Sequence, residues 1–239
     1  GTLRNEGVEF SLTARPIVSK DFTWTANYNI AYNKNEITKL NNDGSYVEVG
    51  GISAGTGGTC QVHAVGYPAY SFFLFEQVYD EAGKPIEGVY VDQNNDGVIN
   101  DDYRRIFRSK DPKVTMSFSS TFNWKNWDFG FSLRASIGNY VYNNVEQSMS
   151  NMNTGELFSN SLKYFSNRLK STVERNWQTY EITSKLSDYY VKNASFLKCD
   201  NITLGYSFNN LFKTSGWHGL SGRAYATASN VFTITNYDG

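Results

Sequence analysis

Long apolar runs, histidine and cysteine are scarce in this sequence, and net charge is almost absent. No run of about 18 apolar residues occurs, so a membrane-spanning helix is excluded. A membrane β-barrel is not excluded, because alternating strands average out in a hydropathy window. The formal net charge of −1 and the isoelectric point near 6.2 argue against a nucleic-acid-binding surface, which would be distinctly basic. These absences therefore exclude helical membrane proteins and argue against nucleic-acid-binding proteins, and β-rich proteins remain as candidates.

The two cysteines and two histidines leave little scope for metal ligation or hydrolytic chemistry. Cys60 and Cys199 form no Cys-x-x-Cys, so two unpaired thiols are expected, with a disulfide as the open alternative. His63 and His218 do not stand at ligand spacing. The sequence also lacks a Gly-x-Ser-x-Gly motif, a recognisable carboxylate pair and a lysine-bearing phosphate loop. We therefore predict that the chain is not an enzyme.

Aromatic residues, in contrast, are abundant and alternate with small polar residues. The chain has 17 Tyr, 16 Phe and 5 Trp. Because successive side chains of a strand point to opposite faces, residues 21–33 are predicted to form a strand with one aromatic and one Thr/Asn face. Its length suits the roughly 10-residue segment of a membrane barrel better than the usual globular strand. The apolar parity holds Phe22, Trp24, Ala26, Tyr28, Ile30 and Tyr32.

Six such strands are predicted, and the connections between them are, in chain order, short, long, short, long and medium. The two long connections cover about residues 34–112 and 139–193, with a short helix expected around Leu162, Phe165 and Leu169. Outer-membrane barrels have short periplasmic turns and long extracellular loops. The alternation therefore favours an all-β, antiparallel up-and-down transmembrane β-barrel over a soluble β-sandwich. The predicted strands are about residues 6–17, 21–33, 114–124, 127–137, 195–208 and 220–235.

Residues 92–102 (DQNNDGVINDD) follow the spacing of an EF-hand-type calcium loop. Such a loop has oxygen ligands at positions 1, 3, 5 and 9, a glycine at 6 and a backbone carbonyl ligand at 7. Position 12 is Tyr103 instead of an acidic residue, and Asp102 can replace it only if the loop shifts. An Asx-rich surface turn that binds nothing is the open alternative. The candidate calcium ligands are Asp92, Asn94, Asp96, Val98, Asn100 and Asp102.

Several stretches carry a family resemblance over nearly the whole chain. They include WTANYNIAYNKN at residues 24–35, GKPIEGVYVDQNNDGVINDD at 83–102, NITLGY at 201–206 and SNVFTITNYDG at 229–239. In this order and spacing they resemble the SusC/RagA-like family of TonB-dependent outer-membrane transporters from Bacteroidota.

The resemblance implies an outer-membrane barrel of roughly 22 strands, which contains an N-terminal plug. It also implies a SusD-like surface lipoprotein partner and import, energised by the TonB complex, of oligosaccharides or, in some members, peptides. Residues 1–239 would then be a C-terminal part of the barrel in contact with membrane lipid, with the plug domain and the last strand absent. About six strands cannot close such a barrel, so independent transport is not expected. A soluble secreted β-domain that binds carbohydrate or calcium is the second hypothesis.

Overall fold

One open, antiparallel six-stranded sheet dominates the structure. It is seen in a computed structural model that describes residues 1–41, 45–51, 58–150, 169–178, 185–215 and 219–237. Neighbours in sequence are mostly neighbours in the sheet, so the topology is up-and-down, as predicted. In spatial order the strands are β1 (Thr2–Val18), β2 (Phe22–Lys39), β9 (Val114–Trp124), β10 (Trp127–Ile137), β13 (Phe196–Leu211) and β14 (Leu220–Thr235).

The predicted strands are all present, and three of them are longer than expected. β1 begins four residues earlier than predicted, β2 continues to Lys39 instead of ending near Asn33, and β13 continues to Leu211. The extensions follow from pairing, because residues 34–39 continue the β1 ladder beyond the point where their own alternation fades. The short turns after β1, β9 and β13 all lie at one end of the sheet, and the long connections lie at the other.

The first long connection is more ordered than a polar loop. It forms a four-stranded sheet and a two-stranded hairpin, whose turn at residues 80–84 is closed by hydrogen bonds to the Asp80 carboxylate. Residues 71–79 form two short strands, because the backbone at Phe75 leaves the sheet to pair with residues 186–188. The strands are β3 (Tyr46–Gly51), β4 (Thr59–Ala64), β5 (Ser71–Leu74), β6 (Gln77–Tyr79), β7 (Pro85–Tyr90) and β8 (Arg105–Ser109).

The second long connection packs against the first. It contains β11 (Tyr140–Tyr142), β12 (Val191–Asn193) and the short helices Asn144–Ser148 and Lys170–Arg175. Residues 162 and 165 of the predicted helix lie outside the described residues, and Leu169 has extended backbone at the start of the helix that follows it. No helix of the described residues is long and apolar enough to cross a membrane.

The core lies between these connections and not within the large sheet. Leu74, Phe72, Cys60 and Leu186 form one buried cluster, and Val62, Ala64 and Phe73 form another. Cys60 and Cys199 are both buried and unpaired, as predicted, and burial raises the pKa of the Cys60 thiol to about 11. The first cluster joins the two long connections through Leu186, and the second lies within the first connection.

The side chains of Trp24 and Ser120 form a hydrogen bond within the apolar face of the sheet. The Trp24 indole Nε1–H donates to Ser120 Oγ at 2.8 Å, and Ser120 is only 1% exposed. We expect Ser120→Ala to reduce the free energy of unfolding by about 1–3 kcal/mol, because the indole N–H loses its partner. A double-mutant cycle with Trp24→Phe measures the coupling in the full-length protein. Strict additivity of the two changes would contradict the contact.

Candidate functional site

The apolar face of the large sheet carries rows of aromatic side chains near its short-turn end. Phe22, Trp124, Trp127 and Tyr206 lie side by side on four adjacent strands. In this row, the ring centroids of Trp127 and Tyr206 are 4.7 Å apart. Next to the row, Trp24 stacks on Phe122 with ring centroids 5.7 Å apart. Aromatic residues of this kind mark the membrane–water interface of outer-membrane barrels.

The height of the apolar face fits a membrane. Ten residues separate Phe22 from Tyr32, which lies at the other end of the face. At about 3.3 Å per residue and a strand tilt of about 40°, this distance corresponds to a band of roughly 25 Å. Val8, Phe10 and Leu12 of β1 continue the band and are at least half exposed. The apolar side chains of the sheet therefore form a continuous surface that is high enough to span a membrane.

The opposite face is a lattice of hydroxyl and amide groups. The Thr13 hydroxyl donates to Asn27 at 2.9 Å, the Asn29 amide donates to Ser117 at 3.1 Å, and the Asn201 amide donates to Ser132 at 2.8 Å. These contacts join neighbouring strands, so the amides are held in fixed orientations. This face therefore presents hydrogen-bond donors and acceptors to the space on its side of the sheet.

On the same polar face, an ion pair joins two strands that are separated by a third strand. The Arg223 guanidinium donates to both carboxylate oxygens of Asp128, at 2.9 and 2.6 Å, from strands that lie on either side of β13. Gly205 lies between them, and a Cβ there would be 2.5 Å from the Arg223 Nη2 and from an Asp128 oxygen. The pair therefore depends on a residue without a side chain. Tyr225 stands beside it, 67% exposed, with the guanidinium over its ring.

The calcium-loop candidate adopts an Asx-rich turn. Asp92 accepts hydrogen bonds from the backbone N–H groups of Asn95 at 2.9 Å and Gly97 at 2.7 Å. Asp96 accepts from the backbone N–H of Val98 at 2.8 Å and from the Tyr103 hydroxyl at 2.9 Å. Tyr103, at position 12, thus donates a hydrogen bond to Asp96, one of the candidate calcium ligands, and does not take a ligand position itself.

The ionisation of this loop follows from these contacts. Hydrogen bonds from Asn94, the Val98 backbone and Tyr103 lower the pKa of Asp96, so it is charged at neutral pH. Burial and the bond to Asp96 raise the pKa of Tyr103 to about 12. Among the described residues, no group of three or more His, Cys, Asp or Glu side chains is arranged to hold a metal ion. A calcium site would therefore depend on amide and carbonyl oxygens as well, and it stays a proposal.

Calcium binding can be tested in the full-length protein by hydrogen exchange of residues 92–103. We expect calcium at about 1 mM to slow exchange there, because the ion would join oxygens from across the loop. Asp92→Asn, which removes the ligand charge at position 1, should abolish the protection. Asp101→Asn, a change of equal charge at position 10, should leave it intact. Equal exchange with and without calcium in the unmodified protein would contradict the proposal.

Comparison with curated proteins gives relatives that match along the whole chain. The TonB-dependent receptor SusC of Bacteroides thetaiotaomicron is 48% identical over 243 aligned positions, covering 100% of this chain and 24% of SusC. The TonB-dependent receptor P3 of Formosa agariphila is 26% identical, covering 100% of this chain and 25% of its own length. This chain thus spans about a quarter of these relatives. No protein-family profile matches it.

Solved structures show the same fold. The RagAB peptide transporter superposes with a TM-score of 0.71 over 99% of this chain and 26% of the matched chain, at 24% identity. A structure of the RagAB peptide importer in its open-open state gives a TM-score of 0.72 with the same coverage and identity. The sequence relatives are named as receptors and the matched structures as a transporter, and none of them is an enzyme. Their fold agrees with the all-β antiparallel architecture of this chain. The chain therefore belongs to the SusC/RagA-like family of TonB-dependent receptors, which are outer-membrane β-barrel proteins, and spans about a quarter of such a receptor.

Proposed function

We propose that this chain forms part of the wall of a TonB-dependent importer of glycans that works with a SusD-like surface lipoprotein. The single observation that carries the choice of solute is the polar face. Its fixed Asn, Ser and Thr side chains present hydrogen-bond donors and acceptors in the manner that sugar hydroxyls require. Tyr225, exposed on the same face, offers a flat aromatic surface on which a sugar ring can stack.

In this proposal the apolar face contacts lipid and the polar face lines the transport path. The two long connections, which lie together at one end of the sheet, are placed outside the cell, where they would meet the lipoprotein partner. The TonB complex would act through a part of the receptor other than this chain. The soluble secreted β-domain is the weaker hypothesis, because it gives no reason for an exposed apolar band of membrane height.

Uptake by cells that carry the complete receptor tests the proposal. We expect labelled oligosaccharides to accumulate only in cells with both the receptor and TonB, and we expect loss of the partner lipoprotein to reduce uptake. Asn29→Val should lower uptake several-fold, because an amide of the polar face is lost, while Tyr28→Phe on the opposite face of the same strand should not.

Peptides are the second candidate solute, because the RagAB structures with this fold are named as a peptide transporter. Peptide uptake under the same conditions, without oligosaccharide uptake, would replace glycans by peptides in the proposal. TonB-independent accumulation of either solute would contradict the transport mechanism itself.

A further inference from the structure

A cavity of about 380 Å³ lies where the loop sheet meets the end of the large sheet. Its walls come from four separated parts of the chain, which are the second half of β2, the residues before and at the start of β5, β8 with its connection to β9, and the β10–β11 connection with the start of β11. The volume is within the range of small-molecule sites. Asn33 and Lys113 place it at the end of the polar face, since Asn33 follows Tyr32, Lys113 precedes Val114, and Tyr32 and Val114 are the last apolar pair of β2 and β9.

The cavity carries an excess of positive charge. Lys34, Arg108 and Lys113 line it, against Asp111 as the one carboxylate among its described residues. Lys34 is bound by Glu36 at 2.8 Å, and Asp111 is already bound by Lys110 at 2.7 Å. Within the described part of the chain, Arg108 and Lys113 make no ion pair. Two cations of the cavity are therefore available to an anion from outside.

Arg108 is held in a fixed orientation by aromatic rings. Its guanidinium carbon lies 5.0 Å from the centroid of Tyr140 and 5.2 Å from that of Phe107. Stacking of this kind restricts the side chain while leaving the guanidinium N–H groups unused. A planar guanidinium prepared in this way matches the two oxygens of a carboxylate or sulfate.

Lys113 is fixed at its backbone. Its N–H donates to the Ile137 carbonyl at 2.9 Å, and its carbonyl accepts from the Asn33 N–H at 3.2 Å. Its side chain runs beside Gly138, where an added Cβ would lie 3.1 Å from the lysine Cγ and where φ is +83°. The glycine thus leaves space for the lysine, which enters the cavity from the side of β9 and β10.

The remaining walls suit a sugar. Tyr67 and Tyr140 provide aromatic surfaces, and the Asn35 side chain is oriented by a 2.7 Å bond to Asn5 and a 2.9 Å bond from the Ala69 N–H. We propose that this cavity binds a negatively charged sugar residue, one that carries a carboxylate or a sulfate. The inference rests on the proposed import of glycans and specifies the charge of the glycan.

Binding to the complete receptor, measured by calorimetry, tests the inference. The probes are an oligogalacturonide, a sulfated oligosaccharide, a neutral maltooligosaccharide of the same length and an acidic peptide. We expect one of the charged sugars to bind at least about ten-fold more tightly than the neutral one, with affinity falling as salt rises. Arg108→Gln with Lys113→Gln should remove this preference for charged over neutral sugars. Lys20→Gln with Lys125→Gln, in the two short turns at the opposite end of the sheet, is the control that removes the same number of positive charges.

The outcomes separate this inference from the proposed function. Equal binding of neutral and charged sugars, or a preference that survives the double variant, would overturn the charged-sugar site while oligosaccharide uptake continued to support glycan import. A stronger response to the acidic peptide, lost in the double variant, would also overturn it, in favour of a peptide carboxylate. Absence of oligosaccharide uptake by the unmodified receptor would instead contradict the proposed function.

Discussion

Phe131→Lys is expected to destabilise the complete receptor by on the order of 2–4 kcal/mol, the cost of a lysine near the middle of a membrane on the lipid face of a barrel. Phe131 lies in the middle of β10, paired with Ser120 and Ile202 on neighbouring strands, and its ring is 5.9 Å from that of Phe118. The lysine would lose this packing and would also place an ammonium group in hydrocarbon. The free energy of unfolding from denaturant titration in lipid vesicles measures the effect.

Thr121→Lys is the matched control for this change. Thr121 lies on the neighbouring strand β9, is exposed on the polar face and is paired with Gly130, which leaves room for a longer side chain. We expect its free energy of unfolding to change by no more than about 0.5 kcal/mol. Equal effects of the two lysines would contradict the assignment of faces, and a larger effect of Thr121→Lys would reverse it.

Leu74→Ala is expected to cost about 2–5 kcal/mol, the usual range for removing a fully buried leucine side chain. Leu74 is 0% exposed and lies in the buried cluster that joins the two long connections. The truncation would therefore leave a void between these connections. The destabilisation should be local, because these clusters lie outside the large sheet. Hydrogen exchange of the complete receptor should accelerate in β4, β5 and residues 185–193 but not in β9 and β10.

Val89→Ala provides the comparison for a surface position in the same connection. Val89 is 42% exposed, so its truncation should change local exchange little. If Leu74→Ala accelerated exchange throughout the large sheet as well, the connections and the wall would unfold as one unit. That result would contradict the separate core described for the connections.

The strands of the large sheet were predictable because their signal is local. Alternation with a period of two is written into consecutive residues, and it gave β9 and β10 with their correct ends. The alternation of connection lengths also gave the up-and-down order, since antiparallel neighbours are joined by short turns. The extension of β2 to Lys39 was missed because the partner strand, and not the local pattern, determines where pairing stops.

The connections were less predictable because their contacts are distant in sequence. The backbone N–H of Gln77 binds the Asp188 carboxylate at 2.9 Å, across 111 residues, and burial raises the pKa of that carboxyl group. No local pattern around Gln77 indicates this partner. The cavity with Arg108 and Lys113 was not found from the sequence for the same reason, as its walls come from four segments.

By itself, the sequence determined the fold class, the strand order and the two faces of the wall, because side-chain alternation along a strand is a property of neighbouring residues. The tertiary structure alone decided how the connections pack, why Gly205 must lack a side chain beneath the Asp128–Arg223 pair, and which cations remain unpaired in the cavity. Each of these depends on residues that are far apart in the sequence and meet only in the folded chain. No single segment therefore contains the information that places them together.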